Sequence, residues 1–143
     1  MRLLIDTQCW LWSLSEPERL NVEARRVIAG SQNAVLLSAA SSWEIAIKVG
    51  LRKLKLPEPP SRYVPARLAE QGMSALPVEH VHALRVAELP PHHHDPFDRL
   101  LVAQAQIERM TLLTADPQIV VYDVDTLWAG EGDPPRVRRR RRR

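Results

Sequence analysis

Asp6, Glu44, Asp98 and Asp116 are the residues of this chain best suited to chemistry. They lie far apart in sequence, and each reads as sitting where a strand ends or a helix begins. In a doubly wound α/β fold such junctions gather outside the carboxyl ends of the strands. Four carboxylates meeting there would repel one another unless a cation joined them, and an all-oxygen donor set suits Mg²⁺ or Mn²⁺. The chemistry expected of such a centre is hydrolysis of a phosphodiester by in-line attack of water on phosphorus, leaving 5′-phosphate and 3′-hydroxyl ends.

Each acid also has a simpler explanation. Asp6 closes the apolar run RLLID and could only cap the next helix. Thr7 beside it could orient a water through its hydroxyl, or serve as a turn residue. Glu44 precedes Lys48 by one helical turn, the favourable order for an ion pair worth about 0.2–0.5 kcal/mol. That gain hardly offsets desolvation of a carboxylate on an apolar helix, whereas a metal ion would. In DPFD, Asp95 is a natural N-cap, Pro96 takes the first helical position and Asp98 the third, all favoured by the helix dipole. Asp116 in TADP is likewise cap-like. Only the set of four makes the case for a site.

The elements that must position them alternate between short apolar strands and helices. Strands are expected at 2–6, 34–37, 76–78, 111–114 and, at an edge, 124–128. Helices are expected as a short turn at 10–14 and then at 20–28, 38–49, 64–70, 81–87 and 96–109, with a short one after Pro117. Asn21 is a candidate cap. Gly30, Gly50 and Gly72 are candidate stops. Pro65 is tolerable only in a first helical turn. The helix from Ser38 to Val49 is apolar nearly all round and is expected to be packed on most sides. The pattern predicts an α/β three-layer α/β/α sandwich with a central parallel sheet.

A chain of 143 residues suits one domain with a real core. The lone Cys9 cannot form an intrachain disulfide, which fits a reducing, cytoplasmic setting. Asp6 breaks the N-terminal apolar run, no cleavage site follows, and no stretch approaches the roughly 20 apolar residues of a membrane span. The net charge of +3 comes from the end of the chain, where Arg136 and Arg138–Arg143 contribute seven of the 20 basic residues. The remaining 13 face 17 acidic residues, a body near −4. Residues 131–143 therefore read as a disordered Pro/Arg-rich tail, able to attract polyanions or simply solvated.

His92, His93 and His94 read as a polar surface loop, because adjacent histidines do not easily face one ion and no cysteine pair or HExxH accompanies them. Walker, GxGxxG and GxSxG motifs are absent. Arg99, Lys48, Arg52, Lys53 and Lys55 are candidates to hold a nucleic-acid backbone. The few aromatic residues offer no clear platform for stacking bases.

Four blocks, LLIDT, SAASSWEIAIKVGLRKLKL, HHHDPFDRLLVAQA and LLTADP, resemble in order and spacing the PIN-domain family, and within it the VapC-type toxins of bacterial type II toxin–antitoxin systems. The resemblance runs from about Arg2 to Trp128. It implies a PIN-like nuclease domain over residues 1–130: a metal-dependent endoribonuclease cleaving RNA with Mg²⁺ or Mn²⁺. Asp6, Glu44, Asp98 and Asp116 match the four family acids, as catalytic and metal-binding residues, and Asp95 lies beside them. A cognate VapB-like antitoxin and a homodimer are implied as partners. Where relatives often carry HRDPFD, His94 replaces the arginine. The rival readings are a DNA or flap nuclease using the same acids, and a non-catalytic RNA-binding module in which they only cap helices.

Overall fold

The computed structural model describes residues 1–136. Residues 137–143, and with them most of the expected tail, lie outside the described residues. Five parallel strands form one sheet: β1 (Arg2–Ile5), β2 (Ala34–Ser38), β3 (Ser74–Leu76), β4 (Thr111–Thr114) and β5 (Thr126–Trp128), in the order β3-β2-β1-β4-β5. The chain winds outward from β1 to β3, then crosses back to place β4 on the other side of β1. Strand order thus reverses beside β1, the place where α/β sheets open a crevice at their carboxyl edge.

The strands are short, and the central β1, β2 and β4 are largely buried, as parallel strands covered by helices on both faces must be, while the edge strands β3 and β5 are more open. Leu3 and Ile5 join Trp10, Leu20, Ala24, Ile45 and Tyr63 in one core. Leu4 and Leu112 join Leu101, Val102, Ile119 and Tyr122 in the other. This is the expected three-layer sandwich. No helix among the described residues is long and apolar enough to cross a membrane.

Among the described residues, seven α-helices connect the strands: α1 (Thr7–Ser15), α2 (Val22–Ala29), α3 (Ala39–Gly50), α4 (Pro60–Gln71), α5 (His80–Arg85), α6 (Pro96–Glu108) and α7 (Pro117–Val120). Asn21 caps α2 by accepting from Ala24 N, and Gly72 ends α4 at φ +66°. Four expectations shift. Helix α1 starts directly after β1 instead of at Trp10, because the Asp6 carboxylate caps it. Helix α4 starts at Pro60, which leaves Pro65 in its interior. Strand β3 begins two residues before the expected one. Gly50 is still helical, and the left-handed residue after α3 is Arg52 (φ 59°), with Lys53 N donating to Lys48 O at 2.8 Å.

Helix α3 departs from expectation in its packing as well. Ala40, Ser41, Glu44 and Ile45 are buried, but Trp43 is 62% exposed, with Ile47 and Leu51 also in solvent. Trp43 meets Phe97 edge-on, ring centroids 5.2 Å apart.

Candidate active site

Asp6 stands at the end of β1, where the strand hands over to α1. It is 4% exposed. Its Oδ1 accepts from Cys9 N at 2.7 Å, and its Oδ2 accepts from the Thr114 hydroxyl at 2.5 Å. Thr114 ends β4, the neighbouring strand, and its Oγ1 accepts in turn from Asp116 N at 3.0 Å. One hydroxyl therefore ties the Asp6 carboxylate to the backbone of Asp116 across the strand-order reversal. Thr7 is buried and donates to Ser41 Oγ at 2.8 Å, joining α1 to α3.

Glu44 does not sit at a junction. It lies in the second turn of α3, on the buried side, and reaches the cleft because α3 starts at the carboxyl edge of the sheet. Its Oε2 accepts from Lys48 Nζ at 2.8 Å. Its Oε1 is buried and has no hydrogen-bond partner. A lone ion pair with a half-exposed lysine leaves half of this carboxylate desolvated for nothing, unless a cation completes it.

Asp98 lies in the first turn of α6, whose N-terminus also faces the carboxyl edge because the helix runs back across the sheet into β4. Asp95 caps that helix, its Oδ1 accepting from Phe97 N and Asp98 N. Asp116 caps α7, its Oδ1 accepting from Gln118 N. Between Asp98 and Asp116 stands a residue that the sequence did not single out. His93 Nε2 is 3.1 Å from Asp98 Oδ2 and 3.0 Å from Asp116 Oδ2. His92 and His94 are exposed as expected, whereas the His93 side chain is turned inward and 11% exposed. The polar-loop expectation therefore fails at this one histidine. Its one signal was its place at the histidine of the HRDPFD pattern, with His94 where the arginine stands.

All four acids line one cleft of about 330 Å³, together with Asp95, Thr7, Gln8 and Lys48. Burial, and then the neighbouring charges, show in the ionisation of two of them. Burial pushes the Asp6 carboxyl up from its ordinary value, against the hydrogen bonds from Thr114 and Cys9. Asp98 is pushed up to about 7, first by loss of water and then by the charges of Asp95, Asp6, Glu44 and Asp116. Carboxylates this crowded favour either a proton or a metal ion. The oxygen donors, the orphaned Glu44 Oε1 and the small acidic cleft fit a hard divalent cation such as Mg²⁺ or Mn²⁺.

The expected backbone-binding cations separate into two groups. Arg99 is committed inside the fold: its guanidinium donates to the carbonyls of Val86, Leu89 and Pro90 and to the Tyr122 hydroxyl. That overturns its expected role on substrate. Arg52, Lys53 and Lys55 are exposed at the end of α3.

A family model described as the PIN domain matches residues 3–125. Over 60 residues the chain is 50% identical to Ribonuclease VapC16 of Mycobacterium tuberculosis. That stretch is 42% of this chain and 43% of the relative, so it spans less than half of the curated protein it matches. Solved structures share the fold. A chain of VapBC2 from Rickettsia felis, bound to a DNA fragment from their promoter, superposes with a TM-score of 0.67 at 15% identity, over 90% of this chain and 99% of that one. A toxin–antitoxin complex from Klebsiella pneumoniae gives 0.57 at 20% identity, over 87% and 95%.

Proposed function

The chain belongs to the PIN-domain family, and from that premise we propose that it is a VapC-type endoribonuclease toxin. It hydrolyses RNA phosphodiester bonds at the cleft where Asp6, Glu44, Asp98 and Asp116 hold Mg²⁺ or Mn²⁺. The observation that carries this reading is the convergence of four carboxylates from separate elements on one cleft, with Glu44 Oε1 buried and unpartnered. Caps alone would not bring a mid-helix glutamate there.

When bound, the ion would supply positive charge to the phosphodiester and acidify a water at neutral pH. The protein's own contribution is placement. Asp6 is fixed by two hydrogen bonds, Asp116 by its cap and by His93, and Asp98 by the rigid first turn of α6. Lys48 holds one Glu44 oxygen at 2.8 Å and so fixes the side chain at the cleft. Arg52, Lys53 and Lys55 offer charge to the RNA backbone without base preference.

The proposed partners are a cognate VapB-like antitoxin and a second copy of the chain, and the proposed location is the cytoplasm. The related solved complexes support the first, and the exposed apolar face of α3 gives a protein partner somewhere to bind. The domain proper is proposed to span residues 1–130.

The test is incubation of purified, antitoxin-free protein with a structured RNA pool and, separately, single-stranded and flapped DNA, in Mn²⁺ or Mg²⁺. Discrete RNA cuts, lost with chelator and in Asp98→Asn, are expected. Cuts confined to DNA would move the reading to a DNA nuclease. Folded protein that binds RNA but leaves it intact, unchanged in Asp98→Asn, would favour a binding module.

A further inference from the structure

Among the described residues, His93 is the one side chain that touches two of the proposed metal-holding carboxylates at once. Its ring is oriented by the backbone: Nδ1 accepts from Asp95 N at 3.2 Å, so the ring proton resides on Nε2. That N–H points between Asp98 Oδ2 and Asp116 Oδ2 at 3.1 and 3.0 Å. The loop carrying it is anchored from behind. His93 N donates to the Tyr122 hydroxyl at 2.9 Å, and the same hydroxyl accepts from Arg99, which also holds the Pro90 carbonyl. The His92 ring packs edge-on against Tyr122, 5.1 Å between centroids.

We propose that His93 is a positioning residue that sets Asp98 and Asp116 on one wall of the cleft for a divalent cation. The proposal rests on the metal-dependent reading above. Two features separate this role from that of a metal ligand. For Nε2 to offer its lone pair, the proton would have to move to Nδ1 and face the Asp95 N–H, donor against donor. Meanwhile Asp98 Oδ1 has no partner among the described residues, and each Oδ2 keeps a second lone pair for a cation.

A single ring N–H also suits the task better than a lysine or arginine side chain. Asp98 and Asp116 repel each other, and some donor must hold them at this separation. A lysine or arginine there would neutralise the cleft and compete with the metal. An imidazole N–H lets the carboxylates approach while leaving their negative potential intact. Donors of this kind behind metal-holding groups typically govern metal affinity by about 10–100-fold.

The test titrates Mn²⁺ into the full chain without RNA, following free Mn²⁺ by electron paramagnetic resonance. Wild type is compared with His93→Leu, which fills the space without a donor, and with His93→Gln, whose amide N–H reaches to a similar depth. The melting temperature of each in chelator reports folding. His93→Leu should lose about tenfold or more in Mn²⁺ affinity, and His93→Gln should return most of it. Cleavage by His93→Leu should recover as Mn²⁺ is raised, with little change in KM for RNA. Equal or tighter Mn²⁺ binding by folded His93→Leu would overturn the proposal, since His93 would then only occupy the cation's place. A His93→Gln variant that is folded yet as weak as His93→Leu would overturn it as well. Wild type that binds no Mn²⁺ would remove the metal-dependent reading itself.

Discussion

Helix α6 carries a histidine–carboxylate cluster at each end, and the two differ in what they can do. At its N-terminus stand His93, Asp98 and Asp116; at its C-terminus, Glu79, His82 and Glu108. In both, candidate ligand atoms lie within 4.8 Å of one another. In both, the histidine Nδ1 accepts a backbone N–H, from Asp95 in one and Glu79 in the other, and Nε2 faces a carboxylate. The second cluster is complete as it stands. His82 is 1% exposed and donates to Glu108 Oε1 at 3.2 Å, one imidazole to one carboxylate, while its Nδ1 caps the start of α5. The first is crowded with acids from β1, α3, α6 and the end of β4, and one glutamate oxygen there has no partner. Ligand types and distances are alike. Uncompensated negative charge in a cleft is what separates a candidate site from a helix cap.

The sharpest way to break this contrast is to neutralise one acid at each end. Asp98→Asn should lower RNA cleavage at least about a hundredfold, the scale of removing one preorganised electrostatic group. Glu108→Gln should stay within about twofold, as distant surface changes do. Matching losses in a cleavage assay would mean that the clusters are not functionally distinct. Stability tests the same contrast without substrate. Mn²⁺ at 100 times its dissociation constant should stabilise wild type by about 2.7 kcal/mol, roughly 5–10 °C in a thermal melt. Glu79→Gln should keep that shift, and Asp6→Asn should lose most of it.

The acids were legible in the sequence because caps and strand ends have local rules, and the rules held for Asp6, Asp98 and Asp116. Glu44 was found too, although its junction placement was mistaken. Its signal was a charge on an apolar helix, which is a burial argument and survived. His93 was hidden for a physical reason. Three consecutive histidines have the same composition and nearly the same position, and only the loop backbone, pinned by Tyr122 and Arg99, decides which one turns inward. Arg99 was misread for the mirror-image reason, since its partners are carbonyls that no side-chain pattern encodes. The all-round apolar α3 could not reveal which face the core takes and which is left in solvent. A sequence pattern marks both alike.

Acid crowding makes a further difference in how each end responds to pH. In metal-free protein the folded state holds the Asp98 proton up to about 7, while an unfolded aspartate releases it near its ordinary 3.8. Between those values the folded state binds more protons than the unfolded one, so stability should fall as pH rises from about 4 to about 7. A full, unscreened shift would be worth about 4 kcal/mol, and on the order of 2 is expected once solvent at the cleft mouth is counted. Asp98→Asn should flatten that slope and be more stable than wild type at pH 7 in chelator. Urea unfolding at pH 5 and pH 7 decides it, and a wild-type slope unchanged by the substitution would assign the effect elsewhere.

The smallest effect belongs to the other end of α6. His82→Ala removes the acceptor for Glu79 N and the donor to Glu108, and it leaves space beside the buried Gln104. Losing a helix cap and one partly buried hydrogen bond to a carboxylate should cost about 1–2 kcal/mol, seen as a lower denaturation midpoint with an unchanged slope. Mn²⁺ affinity should not move, because no carboxylate oxygen at this end is buried without a partner among the described residues. Gln104 Oε1 is buried there without a partner among the described residues, yet a single amide oxygen beside a histidine–carboxylate hydrogen bond that is already formed gives a divalent ion little to hold. A drop in Mn²⁺ affinity in His82→Ala would therefore show that helix α6 transmits strain from one end to the other. In that case the two clusters would act as one structural unit, and the local reading of the acidic cleft would have to include the far end of the helix.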